Sequence, residues 1–80
     1  MDDQTLLDRI NELAGEEHRL FEKESSGGAT TDEQARLKQL AVTLDQCWDL
    51  LRQRRARRSA GMNPDDAVVR DENVVERYIG

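Results

Sequence analysis

The residues best suited to binding chemistry form a basic cluster of five arginines within seven positions: Arg52, Arg54, Arg55, Arg57 and Arg58. A guanidinium is planar and can donate two parallel hydrogen bonds to a phosphate or a carboxylate. The cluster therefore indicates contact with nucleic acid, with an acidic protein partner, or with acidic residues of the same chain or of a second copy.

Neutralisation within the chain or its oligomer is the favoured role of these arginines. Cations are stabilising at a helix C-terminus, and antiparallel helix pairing would bring Arg52, Arg54 and Arg55 toward Asp2 and Asp3. No aromatic residue lies among the arginines to stack on bases. An acidic protein partner ranks second and nucleic acid ranks last.

Residue types that carry catalysis or bind metals are sparse in this chain. His18 is the single histidine and Cys47 the single cysteine, so no intramolecular disulfide and no Cys/His zinc site can form. The Ser-Ser-Gly-Gly loop at 25–28 lacks the frame of a phosphate-binding loop, and Asp65 lacks the ligand spacing of a calcium loop. The sequence predicts no enzyme activity, no cofactor and no metal.

Composition points to one small acidic domain. The chain has 80 residues, 36% of them charged, and a net charge of −5. The charge is segregated, with net values of −5 for residues 1–24, +3 for residues 25–58 and −3 for residues 59–80. No apolar run is long enough to cross a bilayer, and no secretory signal is recognisable. We expect a cytoplasmic protein that does not associate with membranes.

Two apolar repeats with spacings of three, four and seven residues predict the architecture. The first contains Leu6, Ile10, Leu13 and Leu20, and the second contains Leu37, Leu40, Leu44, Cys47 and Leu51. This spacing is typical of helices that bury one stripe against another helix. A polar, glycine-containing break at 25–31 separates them. The prediction is an all-α, coiled-coil-like antiparallel hairpin at 1–62, with helix one at about 3–24 and helix two at about 32–60.

The start of helix two has two possible capping boxes. Thr31 with Gln34 is the first choice, and Thr30 with Glu33 fits the same pattern one residue earlier. Asp2 or Asp3 can cap helix one.

The apolar stripe is wider than a two-helix seam requires. The heptad position beside the seam, position e, holds Leu7, Ala14, Phe21, Ala41 and Trp48. A hairpin buries only positions a and d, so this surplus needs another surface. The sequence predicts a homodimer that forms a four-helix bundle, with Leu7, Phe21, Ala41 and Trp48 at its interface. The alternative is a monomer in which the C-terminal tail covers the surplus.

The tail, residues 63–80, is predicted to be short helical or extended structure. Asn63 can cap a turn that begins at Pro64. Val74, Val75, Tyr78 and Ile79 would form one apolar face of a final short helix. We expect this face to pack on the hairpin or on a partner chain, and together with the arginines it is the predicted partner-binding surface.

A resemblance to a known family rests on residues 44–58, then Gly61, residues 63–65, Arg70 and residues 75–78. The chain resembles a family of short uncharacterised actinobacterial proteins catalogued as a domain of unknown function. The specific part is the Leu-Arg-Gln-Arg-Arg-Ala run at 51–56, shortly after Trp48. The resemblance implies a cytoplasmic helical protein and supplies no activity, cofactor or site.

The function predicted from the sequence is protein–protein interaction by a small helical adaptor or regulator. The alternative is association with nucleic acid through the basic end of helix two, from Arg52 to Arg58.

Overall fold

The protein is an antiparallel helical hairpin, as a computed structural model of residues 2–71 shows. Helix α1 spans Asp3–Ser25 and helix α2 spans Thr31–Ser59, and a 3₁₀ turn follows at Pro64–Asp66. The predicted limits are about 3–24 and 32–60. Helix α1 ends one residue later than predicted, and helix α2 begins and ends one residue earlier. Residues 2–71 contain no strand, and the prediction of an all-α hairpin is confirmed.

Short side chains cap both helices at their N-termini. Asp2 accepts a hydrogen bond from the Thr5 N–H at 2.7 Å. At α2, Thr30 accepts from the Glu33 N–H while Glu33 accepts from the Thr30 N–H, both at 3.1 Å. The capping box is therefore Thr30 with Glu33, and the first choice of Thr31 with Gln34 is wrong by one residue. The Glu33 side chain can reach back only to the residue three before it.

Both long helices end in the same glycine-dependent turn. Gly27 and Gly61 have φ values of +77° and +75°, in the left-handed region that L residues with a Cβ avoid. Each glycine is followed by an N–H that bonds back into the last helical turn, from Gly28 to the Lys23 carbonyl and from Met62 to the Arg57 carbonyl. These bonds satisfy carbonyls that the helices leave without a partner. The first turn closes the hairpin and the second reverses the chain after α2.

The core lies along the seam between the helices. Its buried apolar residues are Leu6, Ile10 and Leu13 of α1, with Leu37, Leu40, Leu44, Leu50 and Leu51 of α2. The repeat predicted all of these except Leu50, whereas Leu20 and Cys47 are only partly buried. Full burial of one such side chain stabilises the fold by about 1.5–3 kcal/mol.

In the loop half of the hairpin, two ion pairs between α1 and α2 hold the register. Lys23 Nζ lies 2.7 Å from a Glu33 carboxylate oxygen near the loop. Further along, Arg36 donates two hydrogen bonds to Glu16, at 2.7 and 3.1 Å.

After Gly61 the chain folds back along α2, first through the 3₁₀ turn and then as an extended segment. We call residues 62–71 the strap. Gln53 Nε2 donates to the Val68 carbonyl at 2.8 Å, and Gln46 Nε2 donates to the Arg70 carbonyl at 3.2 Å. The strap thus runs antiparallel to α2, and its Ala67 packs against the core. No helix in the described part of the chain combines the length and apolar character needed to cross a membrane.

Candidate functional site

The arginines of the basic cluster occupy different environments. Arg54 is only 6% exposed, and its Nε donates to Asp3 at 2.7 Å. Its Nη1 donates to the Asp65 carboxylate at 3.0 Å and to the Pro64 carbonyl at 3.3 Å. Arg54 therefore joins α1, α2 and the 3₁₀ turn, and this burial removes it from the surface available to a partner.

Arg58 shares Asp3 with Arg54 but stays half exposed. Its Nη2 donates to the second carboxylate oxygen of Asp3 at 2.8 Å. The hydrogen bonds from Arg54 and then from Arg58 lower the pKa of Asp3 below its ordinary value, because they stabilise the ionised form. Two of the five arginines, Arg54 and Arg58, are thus neutralised by Asp3 and Asp65. Of the predicted approaches to Asp2 and Asp3, only that of Arg54 to Asp3 is observed as an ion pair within residues 2–71. Arg52, Arg55 and Arg57 form no ion pair within residues 2–71.

The position of Arg54 could have been read from the repeat. Cys47 occupies a seam position, and Arg54 follows it by seven residues. The heptad repeat of seam positions therefore continues into the basic cluster, and Arg54 is the residue that occupies its next seam position. The acidic residues near both ends of the hairpin then supply its partners.

A second charged site, which the sequence analysis missed, lies between α2 and the strap. Asp49 is 1% exposed, and Arg70 of the strap donates to both of its carboxylate oxygens, with Nε at 2.8 Å. Gln53 Nε2 donates to the same carboxylate at 3.0 Å. Arg70 first, and then Gln53, lower the pKa of Asp49 against the opposing effect of burial. No repeat indicates this site, because Asp49 lies outside the seam and only the path of the strap buries it.

Beside the strap, Leu6, Cys47, Leu50 and Val69 line a shallow apolar depression. Burial raises the pKa of the Cys47 thiol, which keeps it protonated and poorly nucleophilic at neutral pH. In the described range 2–71, no three His, Cys, Asp or Glu side chains converge as metal ligands would. His18 lies within 3.1 Å of Glu22 on an exposed surface of α1.

The predicted dimer interface lies on the side of the hairpin that the strap leaves open. Trp48 is 42% exposed and Phe21 is 50% exposed. Ala41 is exposed and Leu7 is partly buried against the core. We call these four residues the apolar face. The strap lies along Gln46, Asp49 and Gln53 instead, so the described part of the tail does not cover the apolar face.

The predicted partner-binding residues of the tail, Val74, Val75, Tyr78 and Ile79, lie outside the described residues. The described part of the tail, the strap, packs on α2 of its own chain.

Comparison with known proteins gives one family and several relatives. The family described as "Protein of unknown function (DUF2630)" matches residues 2–80. Uncharacterised proteins of Mycobacterium tuberculosis (strain H37Rv) and Mycobacterium bovis are each 46% identical over 79 residues, which covers 98% of this chain and 91% of theirs. No solved structure matches the chain.

Proposed function

We propose that this chain, which belongs to the DUF2630 family of proteins of unknown function, is a cytoplasmic protein-interaction module that acts without catalysis and binds a second copy of itself. The observation that carries the proposal is the exposure of Trp48 and Phe21 on a hairpin whose own strap packs elsewhere. The partly buried, protonated thiol of Cys47 suits a reducing compartment.

The energy available from the apolar face agrees with a reversible dimer. A buried aromatic side chain removes about 150–250 Å² from water, so the exposed part of Trp48 corresponds to roughly 100 Å². Its burial would contribute about 2–3 kcal/mol in each copy. The two tryptophans together would contribute about 4–6 kcal/mol, whereas association of two proteins costs about 4–15 kcal/mol, so the rest of the contact has to add to them. We expect a weak dimer, in the high micromolar to millimolar range.

The test is the solution mass of the full chain, measured by light scattering or sedimentation over that concentration range. We expect the mass to rise from 9.2 kDa toward twice that value. Trp48→Ser should shift the transition to at least tenfold higher concentration, since about 1.4 kcal/mol of association energy is a factor of ten.

A matched control is Val68→Ser, which removes an exposed apolar side chain from the strap rather than from the apolar face. This variant should dimerise as the original chain does. A mass of 9.2 kDa at every concentration would reject the proposal.

Association with nucleic acid is the second candidate, and it is favoured by the three arginines that form no ion pair within residues 2–71: Arg52, Arg55 and Arg57. Each arginine that neutralises a phosphate releases a counterion, so binding should fall with salt with a log–log slope of about −3. The test is fluorescence anisotropy of labelled duplex and single strands at increasing salt. If the anisotropy of the labelled strands does not rise on addition of the protein at low salt, this candidate is excluded.

A further inference from the structure

We infer that two copies associate through α2 of each, antiparallel and with the twofold axis at Trp48, so that Asp45 of one copy pairs with Arg52 of the other. This inference rests on the proposed self-association and adds its geometry. It concerns the Trp48 end of the apolar face and the polar residues that flank it.

The contact surface is a single stripe along α2: Ala41, Asp45, Trp48, Arg52 and Ala56. At 100° per residue these positions fall within an arc of about 80°. The arc lies between the seam with α1 and the strap, and its strap-side edge, with Arg52 and Ala56, borders Arg70. Trp48 is 42% exposed, Arg52 is exposed and Asp45 is partly exposed.

When two copies of the stripe meet in antiparallel orientation, residues of opposite charge face each other and small residues face small residues. In a twofold contact between antiparallel helices, each residue faces the residue equally distant on the other side of the axis. An axis beside Trp48 places Asp45 opposite Arg52 and Ala41 opposite Ala56. The tryptophans then meet at the centre, two ion pairs flank them, and small residues at both ends allow the helices to approach closely.

The charges of the stripe have no ion-pair partner in the part of the chain that the structure describes. Neither Asp45 nor Arg52 takes part in an ion pair among residues 2–71. They are seven residues apart, about 10 Å along the helix axis, which is too far for them to pair with each other.

Other arrangements of two copies match the charges less well. An axis at Asp45 would place that carboxylate against its own copy and Lys38 against Arg52, so like charges would meet. Packing α1 of one copy on α2 of the other, in the register that Lys23 and Glu33 set, would place Asp45 near Asn11. Like charges in contact disfavour an arrangement, and of these three arrangements only the axis at Trp48 gives two opposite-charge pairs.

The experiment is sedimentation equilibrium on full-length Asp45→Arg and Arg52→Asp variants, each alone and then mixed. Each single variant places two like-charge pairs in its own dimer, so dimerisation should weaken by about tenfold or more. In the mixture, the Arg introduced at position 45 faces the Asp introduced at position 52, and the native Arg52 faces the native Asp45. The mixed dimer should therefore regain an affinity within about threefold of the original.

Two controls separate charge effects from folding and from position. Circular dichroism should show unchanged helix content for both variants. Glu24→Arg reverses an exposed charge at the loop end of the hairpin, far from Trp48, and should dimerise as the original chain does.

The outcomes distinguish the inference from the proposed function. If the original chain dimerises but single charge reversals have no effect, or the mixture forms no heterodimer, the geometry is wrong and self-association stands. If the original chain stays at 9.2 kDa throughout, both the geometry and the proposed self-association fail.

Discussion

The two sides of α2 contrast in what they expose. On the strap side, a carboxylate is 1% exposed, and glutamines bond to the strap backbone. On the opposite side, Trp48 is 42% exposed and Ala41 is exposed as well. Outside the seam, a buried carboxylate and an exposed indole thus depart from the usual arrangement, in which polar residues lie in water and apolar residues lie inside.

The contrast has a physical reason in the chemistry of the strap. An extended segment carries backbone carbonyls that no neighbouring strand satisfies, so the surface that receives it has to supply donors and charge. Gln46, Gln53 and Asp49 supply these groups. A tryptophan has one N–H donor and is otherwise apolar, so it supplies little of this chemistry. The strap accordingly lies along the polar side of α2 and not over Trp48.

The largest effect is expected at the buried carboxylate. Asp49→Ala should lower the free energy of unfolding by about 2–3 kcal/mol, because Arg70 and Gln53 lose a charged hydrogen-bond acceptor. Urea unfolding at low micromolar concentration measures this loss. Asp66→Ala, at an exposed position of the 3₁₀ turn, is the control and should change the free energy of unfolding by less than about 0.5 kcal/mol.

The second-largest effect on stability is expected at Arg54, the arginine that is buried at the end of the seam. Arg54→Ala should lower the melting temperature, since Asp3 and Asp65 lose their shared partner and the ends of α1 and the 3₁₀ turn separate. Arg57→Ala removes a neighbouring arginine that forms no ion pair within residues 2–71, and it should leave the melting temperature unchanged. Equal melting temperatures for the two variants would contradict the ion-pair role of Arg54.

Lowering the pH should weaken the contact between Asp49 of α2 and Arg70 of the strap and so lower the free energy of unfolding. The native pKa of Asp49 lies below its ordinary value, so the folded state binds fewer protons than the unfolded chain does near pH 4. The stabilisation is complete above that pH and is lost as the pH falls toward the lowered native pKa. Urea unfolding at several pH values should therefore show stability declining in acid, with a shallower decline in Asp49→Asn. An identical pH dependence in both proteins would count against the pair.

The smallest stability effect is expected on the open side of the hairpin. Phe21→Ser should lower the free energy of unfolding of the monomer by about 1 kcal/mol or less, since half of the ring already contacts water. Thermal unfolding at a concentration below that of dimerisation measures it. A larger loss would show that the apolar face stabilises the hairpin itself.

Some of the candidate site could be anticipated from the chain, and some could not. The wide apolar stripe predicts that Trp48 and Phe21 exceed what a hairpin seam can bury, and both are exposed. The seven-residue step from Cys47 to Arg54 contains the information that Arg54 enters the seam, although the arginine run obscured it. The choice between Thr30 and Thr31 as the cap depended on how far the Glu33 side chain reaches.

The sequence by itself determined the two helices and their antiparallel seam, because both follow from the spacing of apolar residues. It also determined the turns at Gly27 and Gly61, because few residues other than glycine adopt the conformation that ends a helix in this way. The burial of Asp49 was decided only by the tertiary structure. Its partner Arg70 is 21 residues away, and no local pattern states on which side of α2 an extended segment lies. Within residues 2–71, the path of the strap also leaves Trp48 exposed.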